Sequence, residues 1–365
     1  LDKTGRVAGL VGLIAARLDV PQEARARALR AAHLAKADQV TRVVYELPEL
    51  EGIMGRHYAL HSGEAAEVAE ALREQYLPLP GQPELPQTTG GLLLAVADRA
   101  DTLVGSFAIG LDPSGSQDPF GLRRLATGLL ALCAGRGVTL PLDEIFEMAL
   151  AAYGDIEGMA NVPPAGGSGG SNGGGGSGNG SSNGTSTGAG DHEATLVTAR
   201  LLEFCRIRLE GQMRDQGLAH DAVTAVLARG WTVIPHAWER ARAVERLRQA
   251  DYFDDVHIVF QRAHNLALKA PHDTAIRPDL FAAEAETGLY DALLAVAPDA
   301  GEHLAAGDHD AFFRAIARLR PAVDRFLDDV LVMAPEQEVQ DNRLSLLRAV
   351  ADLSGAVADL SKLVV

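Results

Sequence analysis

Residues 7–18 read VAGLVGLIAARL. Val7, Leu10, Val11, Ile14 and Leu18 recur at steps of three and four, which sets them on one face of a helix and predicts that this face is buried. The same period continues outward along the chain. It predicts further helices over 22–46, ending near Leu47 and Pro48, and over 64–75, 90–104 and 119–134. A Pro-rich loop at 78–86 and the turn LDPSGSQDP at 111–119 separate them. Near the C-terminus, Val323, Phe326, Leu327 and Val330 form a stripe that starts at Pro321, a residue suited to a first helical turn. Leu346, Val350, Leu353, Val357 and Leu360 form another, expected as one continuous helix face. Both stripes read as bundle core rather than as partner-binding faces. With aromatics at 5% and short β-branched runs, the expected class is all-α.

The 365 residues suffice for two or three domains, and 47% hydrophobic content predicts a globular chain. Net charge is −16. Residues 1–160 carry 14 Lys/Arg against 21 Asp/Glu, and residues 191–365 carry 19 against 28. Neither half attracts nucleic acid by bulk charge, so RNA binding requires local cationic patches. Cys133 and Cys205 stand far apart in apolar helical contexts, which predicts buried free thiols in a reducing compartment. No run of about 18 apolar residues or signal peptide is present, so the expected location is the cytoplasm, without membrane association. The chain opens on Leu1 rather than Met, as a trimmed or partial polypeptide would.

From Ala165 to Gly190 the residues are almost wholly Gly, Ser, Asn and Thr. Such a tract cannot bury a core and predicts a flexible tether with an end-to-end distance of roughly 25–30 Å. Composition does not distinguish natural low complexity from an inserted linker. The expected organisation is a helical domain at 1–160, the linker at 161–192, and a second helical region at 193–365.

His33, Asp38, His57, His61, Asp98 and Asp101 give the first region an HD-like look. An HD-type phosphohydrolase holds a divalent metal with imidazoles and carboxylates, including an adjacent His-Asp pair. Here that position reads Ala37-Asp38, within HLAKAD, and residues 1–160 contain no adjacent His-Asp. Asp38, Asp98 and Asp101 are therefore expected as vestigial positions, with no metal bound. His272-Asp273 is a literal pair, but it follows Pro271 in an expected loop and reads as a solvated turn or cap. No phosphate-binding GxxxxGK[ST] loop and no GxSxG elbow occurs, so no catalytic residue is assigned.

Two places suit RNA contact. Arg123 and Arg124 follow the turn Asp118-Pro119-Phe120, where paired guanidinium groups and helix-end amides can hold phosphates. In FQRAHNLALK, Arg262, Asn265 and Lys269 share one helix face; the cations suit phosphate and Asn265 suits a base edge. The bland alternative for these three is a solvated face with an occasional salt bridge.

KADQVTRVVYELPELEGIMGRHYALHSGE (36–64) and LPQTTGGLLLAVADRADTLVGSFAIGLDPSGSQDPFGLRR (85–124) resemble the HD-like domain of the bacterial glycyl-tRNA synthetase β subunit. LLEFCRIRLEGQMRDQGLAHDAVTAVLARG (201–230) is similar to its connecting helices, and FQRAHNLALK to its basic helix. VDRFLDDVLVMAPEQEVQDNRLSLLRAV (323–350) resembles its closing anticodon-binding, DALR-like domain, where Arg343 is a further candidate for RNA contact. The Gly/Ser tract departs from the pattern, and the larger N-terminal part of such a subunit is missing.

The resemblance implies an HD-like helical domain followed by a helical anticodon-binding domain. It implies a glycine–tRNA ligase β-subunit fragment that is inactive alone and positions tRNA(Gly). The α subunit would be the partner that uses ATP and Mg2+, in a hetero-oligomer. Two alternatives stand beside it: an HD-type metal phosphohydrolase fused to a helical module, and a structural helical subunit without RNA contact.

Overall fold

A computed structural model describes residues 2–79, 81–113, 115, 117–154, 187–270 and 275–364, with side chains of 187–193 excluded. Among the described residues there are helices and no strands, the all-α class expected. Residues 155–186, which hold most of the expected linker, and the His272-Asp273 pair lie outside the described residues.

Two compact units form. The first runs to Leu209 and includes Thr232–Pro235; the second comprises Glu210–Trp231 and His236–Val365. While most of the expected linker at 161–192 lies outside the described residues, the boundary between the units falls inside a helix, α9 (Thr187–Asp215). The reason is burial. Val197, Leu201, Phe204 and Cys205 are buried, and Phe107 meets Phe204 edge-on at 5.1 Å, so the first core continues into α9.

The first unit is built around α6 (Thr89–Ala108). Leu93, Leu94, Val96, Ala97, Ala100, Leu103, Val104 and Phe107 are buried, so apolar residues occupy most of its circumference. Around it pack α1 (Asp2–Arg17), α2 (Gln22–Leu34), α5 (Ala66–Glu74), α7 (Leu122–Arg136) and α8 (Leu142–Ala151). The entry to α6 is capped twice. Thr88 Oγ1 accepts from Gly91 N at 2.9 Å, and buried Glu74 accepts from the amides of Gln87 and Thr88 at 2.7 and 3.0 Å. These bonds satisfy amides that a helix start leaves open. Val7, Leu10, Val11 and Ile14 of α1 are buried as their spacing predicts.

The single helix expected over 22–46 is broken. α2 stops at Leu34, a 3-10 turn covers Ala37–Val40, and α3 spans Arg42–Glu46. Lys36 adopts a left-handed conformation with φ of 62°, and Thr41 Oγ1 caps α3 by accepting from Val44 N. The next helix, α4 (Ile53–His61), had no clear apolar stripe to announce it.

The second unit contains α10 (His220–Leu227), α11 (Ile234–Leu247), α12 (Phe253–Ala267), α13 (Glu284–Ala305), α14 (His309–Ala317), α15 (Arg320–Asp329) and α16 (Gln337–Ser354). α12 and α16 form the most extensive helix pair, and α12 also packs on α14 and α15. Val256, Val259, Phe260, Ala263 and Ala267 supply the buried stripe of α12. Val323 and Phe326 of α15 are buried, as expected. The 346–360 stripe is not one helix: α16 ends at Ser354, yet Val357 and Leu360 remain buried after the chain turns. Their apolar character follows from the core, but not from a continuous helical face.

Both cysteines are buried free thiols, and burial pushes each up to about 12. Among the described residues, no helix is long and apolar enough to cross a membrane.

Candidate functional site

Asp38, Asp98 and Asp101 all lie in the first unit, each held by a different set of partners. Asp38 is 4% exposed on the 3-10 turn after Lys36. Its Oδ2 accepts from Gly52 N at 2.7 Å and Gly55 N at 3.0 Å, the amides that open α4. The carboxylate therefore works as a helix cap at the positive end of the helix dipole. Asp98, on α6, sits between Lys3 at 3.0 Å and Lys36 at 3.1 Å. Burial raises its pKa, but the two ammonium groups outweigh that and hold the carboxyl below its ordinary value.

Asp101 accepts from Arg6 Nε at 2.7 Å and Nη2 at 3.3 Å. The Arg6 guanidinium lies 4.0 Å over the Tyr153 ring, and the Tyr153 hydroxyl donates to the Asp101 carbonyl at 2.8 Å. His33, His57 and His61 are exposed. Among the described residues, no group of three or more His, Cys, Asp and Glu side chains is placed to hold a metal. The positions that look HD-like in sequence serve here as a cap and two ion-pair anchors.

Beside Asp38 there is a cavity of about 190 Å3 lined by residues of α2, α4, α5 and the intervening turns. Gln75 contributes to its wall and is 2% exposed. Its backbone is fixed by Arg99, whose Nη1 donates to the carbonyls of Gln75 and Ala95 at 3.0 Å and whose Nη2 donates to Tyr76 O at 3.0 Å. Arg99 is itself buried, without a carboxylate hydrogen bond, and burial brings it down to about 10 against the favourable field of Asp98. Sequence reading missed both residues. An Arg inside an apolar helix was the available signal, since a buried Arg needs acceptors near it.

At the start of α7, Asp118 takes the helix-end amides, accepting from Leu122 N at 2.8 Å and Arg123 N at 3.0 Å. Those amides were expected to help hold phosphate; the internal carboxylate occupies them instead. Arg123 donates through Nη2 to Gly115 O at 2.6 Å, while Arg124 is exposed.

On α12, Arg262 and Asn265 are exposed, and Lys269 is exposed in the turn just beyond the helix end. Arg262 pairs with Asp324 of α15 at 2.7 Å. Arg320 also pairs with Asp324, so this carboxylate serves two cations. Arg343, the further candidate for RNA contact, faces inward. Its side chain is 11% exposed, and it joins fully buried Glu286 through Nε at 2.8 Å. Its Nη1 donates to Leu331 O at 2.9 Å. Its partner, 57 residues away, is invisible to local spacing.

Comparison with known proteins adds the family. The model of the family described as glycyl-tRNA synthetase beta subunit matches residues 1–228. The chain is 44% identical over 361 residues to the glycine–tRNA ligase beta subunit of Desulforudis audaxviator, covering 99% of this chain and 48% of that protein. It is 38% identical over 364 residues to the protein of the same name from Moorella thermoacetica, and 35% identical over 364 residues to that from Desulforamulus reducens. It thus spans about half the length of the relatives it matches. On the family match and on this similarity along nearly all its length, the chain belongs to the glycyl-tRNA synthetase beta subunit family.

Proposed function

We propose that this chain is the tRNA-handling part of a glycine–tRNA ligase β subunit. In this reading it positions tRNA(Gly), while an α subunit in the same hetero-oligomer activates glycine with ATP and Mg2+. The second unit acts as the anticodon-binding, DALR-like domain, and the first, HD-like unit faces the acceptor side. The location is cytoplasmic.

The observation that carries the RNA-binding role is the exposed row Arg262, Asn265 and Lys269 on and just after α12. A chain of net charge −16 repels RNA at long range, so a short-range cluster must supply the phosphate contacts. Arg262 already has Asp324 as partner, but Asp324 keeps Arg320 when Arg262 turns to a phosphate. Lys269 has no ion-pair partner among the described residues. Asn265 lies between the two cations in sequence and offers both donor and acceptor to a base edge.

The test is filter binding of the full chain to tRNA(Gly) and to a mismatched tRNA across a salt series. Preferential binding of tRNA(Gly), weakening steeply with salt, is expected. No binding at low salt would leave the chain a bracing subunit instead, and equal affinity for the two would overturn the preference for tRNA(Gly).

A further inference from the structure

We propose that the cavity beside Asp38 is a binding site for a compact organic cation: an ammonium or amidinium group on a body about the size of one ring. It requires neither RNA binding nor metal chemistry.

The cavity, at about 190 Å3, is somewhat larger than the roughly 150 Å3 engineered cavities that accept benzene. Leu34, Ala59 and Leu72 give it apolar walls. Two buried acceptors give it polarity. Gln75 donates through Nε2 to Leu72 O at 2.7 Å, and its Oε1 is buried with no hydrogen-bond partner. Flipping the amide would set an oxygen against the Leu72 carbonyl, so the orientation follows from the network. A buried acceptor without a donor is unfavourable, and a ligand N–H relieves it.

The second acceptor is Asp38. Both of its side-chain hydrogen bonds fall on Oδ2, and among the described residues no cation pairs with it. The other charges in the wall are already neutralised. Lys36 is held by Asp98 at 3.1 Å, and Glu64 accepts from Arg30 Nε at 3.1 Å. The charge left over is that of one carboxylate, in a wall that also holds the orphan Gln75 acceptor and the hydroxyl-bearing Tyr58 and Ser62. Such a site favours a cation with two or more N–H donors and disfavours anions. The apolar walls favour an organic body over a hydrated inorganic ion.

Benzamidine and its neutral isostere benzamide are the probes. Each is titrated calorimetrically into the full chain, alongside Gln75→Leu and Ala59→Leu. Benzamidine should bind saturably at one site, about tenfold or more tighter than benzamide. Gln75→Leu removes the orphan acceptor and should weaken benzamidine about tenfold with its melting temperature retained. Ala59→Leu fills the cavity and should abolish binding. If Ala59→Leu does not fold, NMR shift mapping on the unsubstituted chain replaces it, with perturbations expected at Leu72 and Gln75. No saturable binding, equal affinity for benzamide, undiminished affinity in Gln75→Leu, or shifts away from α4 and α5 would each overturn the assignment.

Discussion

Arg343 of α16 closes on Glu286 of α13 through Nε and Nη2, at 2.8 and 3.3 Å, around a carboxylate with no exposed surface. Glu286 also accepts from the amides of Ala282 and Ala283 at 2.8 and 2.7 Å. The pair thus ties two helices together and satisfies the open amides at the start of α13. Truncating Arg343 to Ala leaves a buried carboxylate without its cation, which should destabilise the second unit by about 3–5 kcal/mol. Urea unfolding of the variant checks this, and tRNA affinity under folding conditions should change little.

Acid should act on the same pair. Burial raises the Glu286 pKa, but Arg343 and the two amides outweigh it and hold the group below its ordinary 4.5. A depressed carboxyl contributes stability that is complete above the unfolded value and lost as pH falls through the folded one. Glu286→Gln should therefore flatten the decline in melting temperature below pH 4.5, measured against the unsubstituted chain.

His257 and His309 push in the same direction at higher pH. Both are buried, with Nδ1 atoms lacking partners. Burial lowers the pKa of each; Asp254 opposes this at His257, while Arg240 reinforces it at His309. The unfolded chain then binds more protons near pH 6.5, so stability falls as pH drops from about 6.5 towards the lower folded values. The double variant His257→Phe with His309→Gln should lose part of that pH dependence. An unchanged slope between pH 7.5 and 5.5 would place its origin elsewhere.

In the exposed row on and just after α12, Arg262→Ala and Lys269→Ala should each flatten the salt dependence of tRNA binding by about one unit of log–log slope. Asn265→Ala should cost roughly 1–3 kcal/mol and change the preference among tRNAs, if it reads a base. All three side chains are exposed, so melting temperatures should stay put. Unaltered affinity in all three would shift attention to Arg123 and Arg124.

Gly91 marks a close approach inside the first unit. A Cβ there would lie 2.6 Å from Glu74 Cβ and 2.2 Å from its Oε2. In an ordinary helix interior, Gly→Ala stabilises by roughly 1 kcal/mol. Here Gly91→Ala should instead destabilise by about 1–3 kcal/mol, because it displaces the carboxylate that caps α6. Thermal melts should give opposite signs for Gly91→Ala and for Gly5→Ala, where an added Cβ meets nothing within 4 Å beyond its own helix.

The helical class, the buried face of α1, the burial of both cysteines and the family resemblance were legible in the residues alone. Helical period is local: Val7, Leu10, Val11 and Ile14 need only the geometry of 3.6 residues per turn to declare a common face. Chain breaks were less legible. The Ala-rich run 22–46 has helical composition throughout, but Lys36 turns left-handed, and Asp38 in the turn that follows caps α4 from 14 residues away. Which charged groups lie at the surface and which brace the framework depended on long-range packing. Arg262 and Arg343 look alike as letters, yet one is exposed and the other braces Glu286. The same holds for Asp38, Asp98 and Asp101, whose roles follow from Gly52, Lys3, Lys36 and Arg6 on other segments. Sequence period records which face a residue occupies; the partner it meets across that face depends on how distant segments pack, and in a buried setting the partner decides what a charge can do.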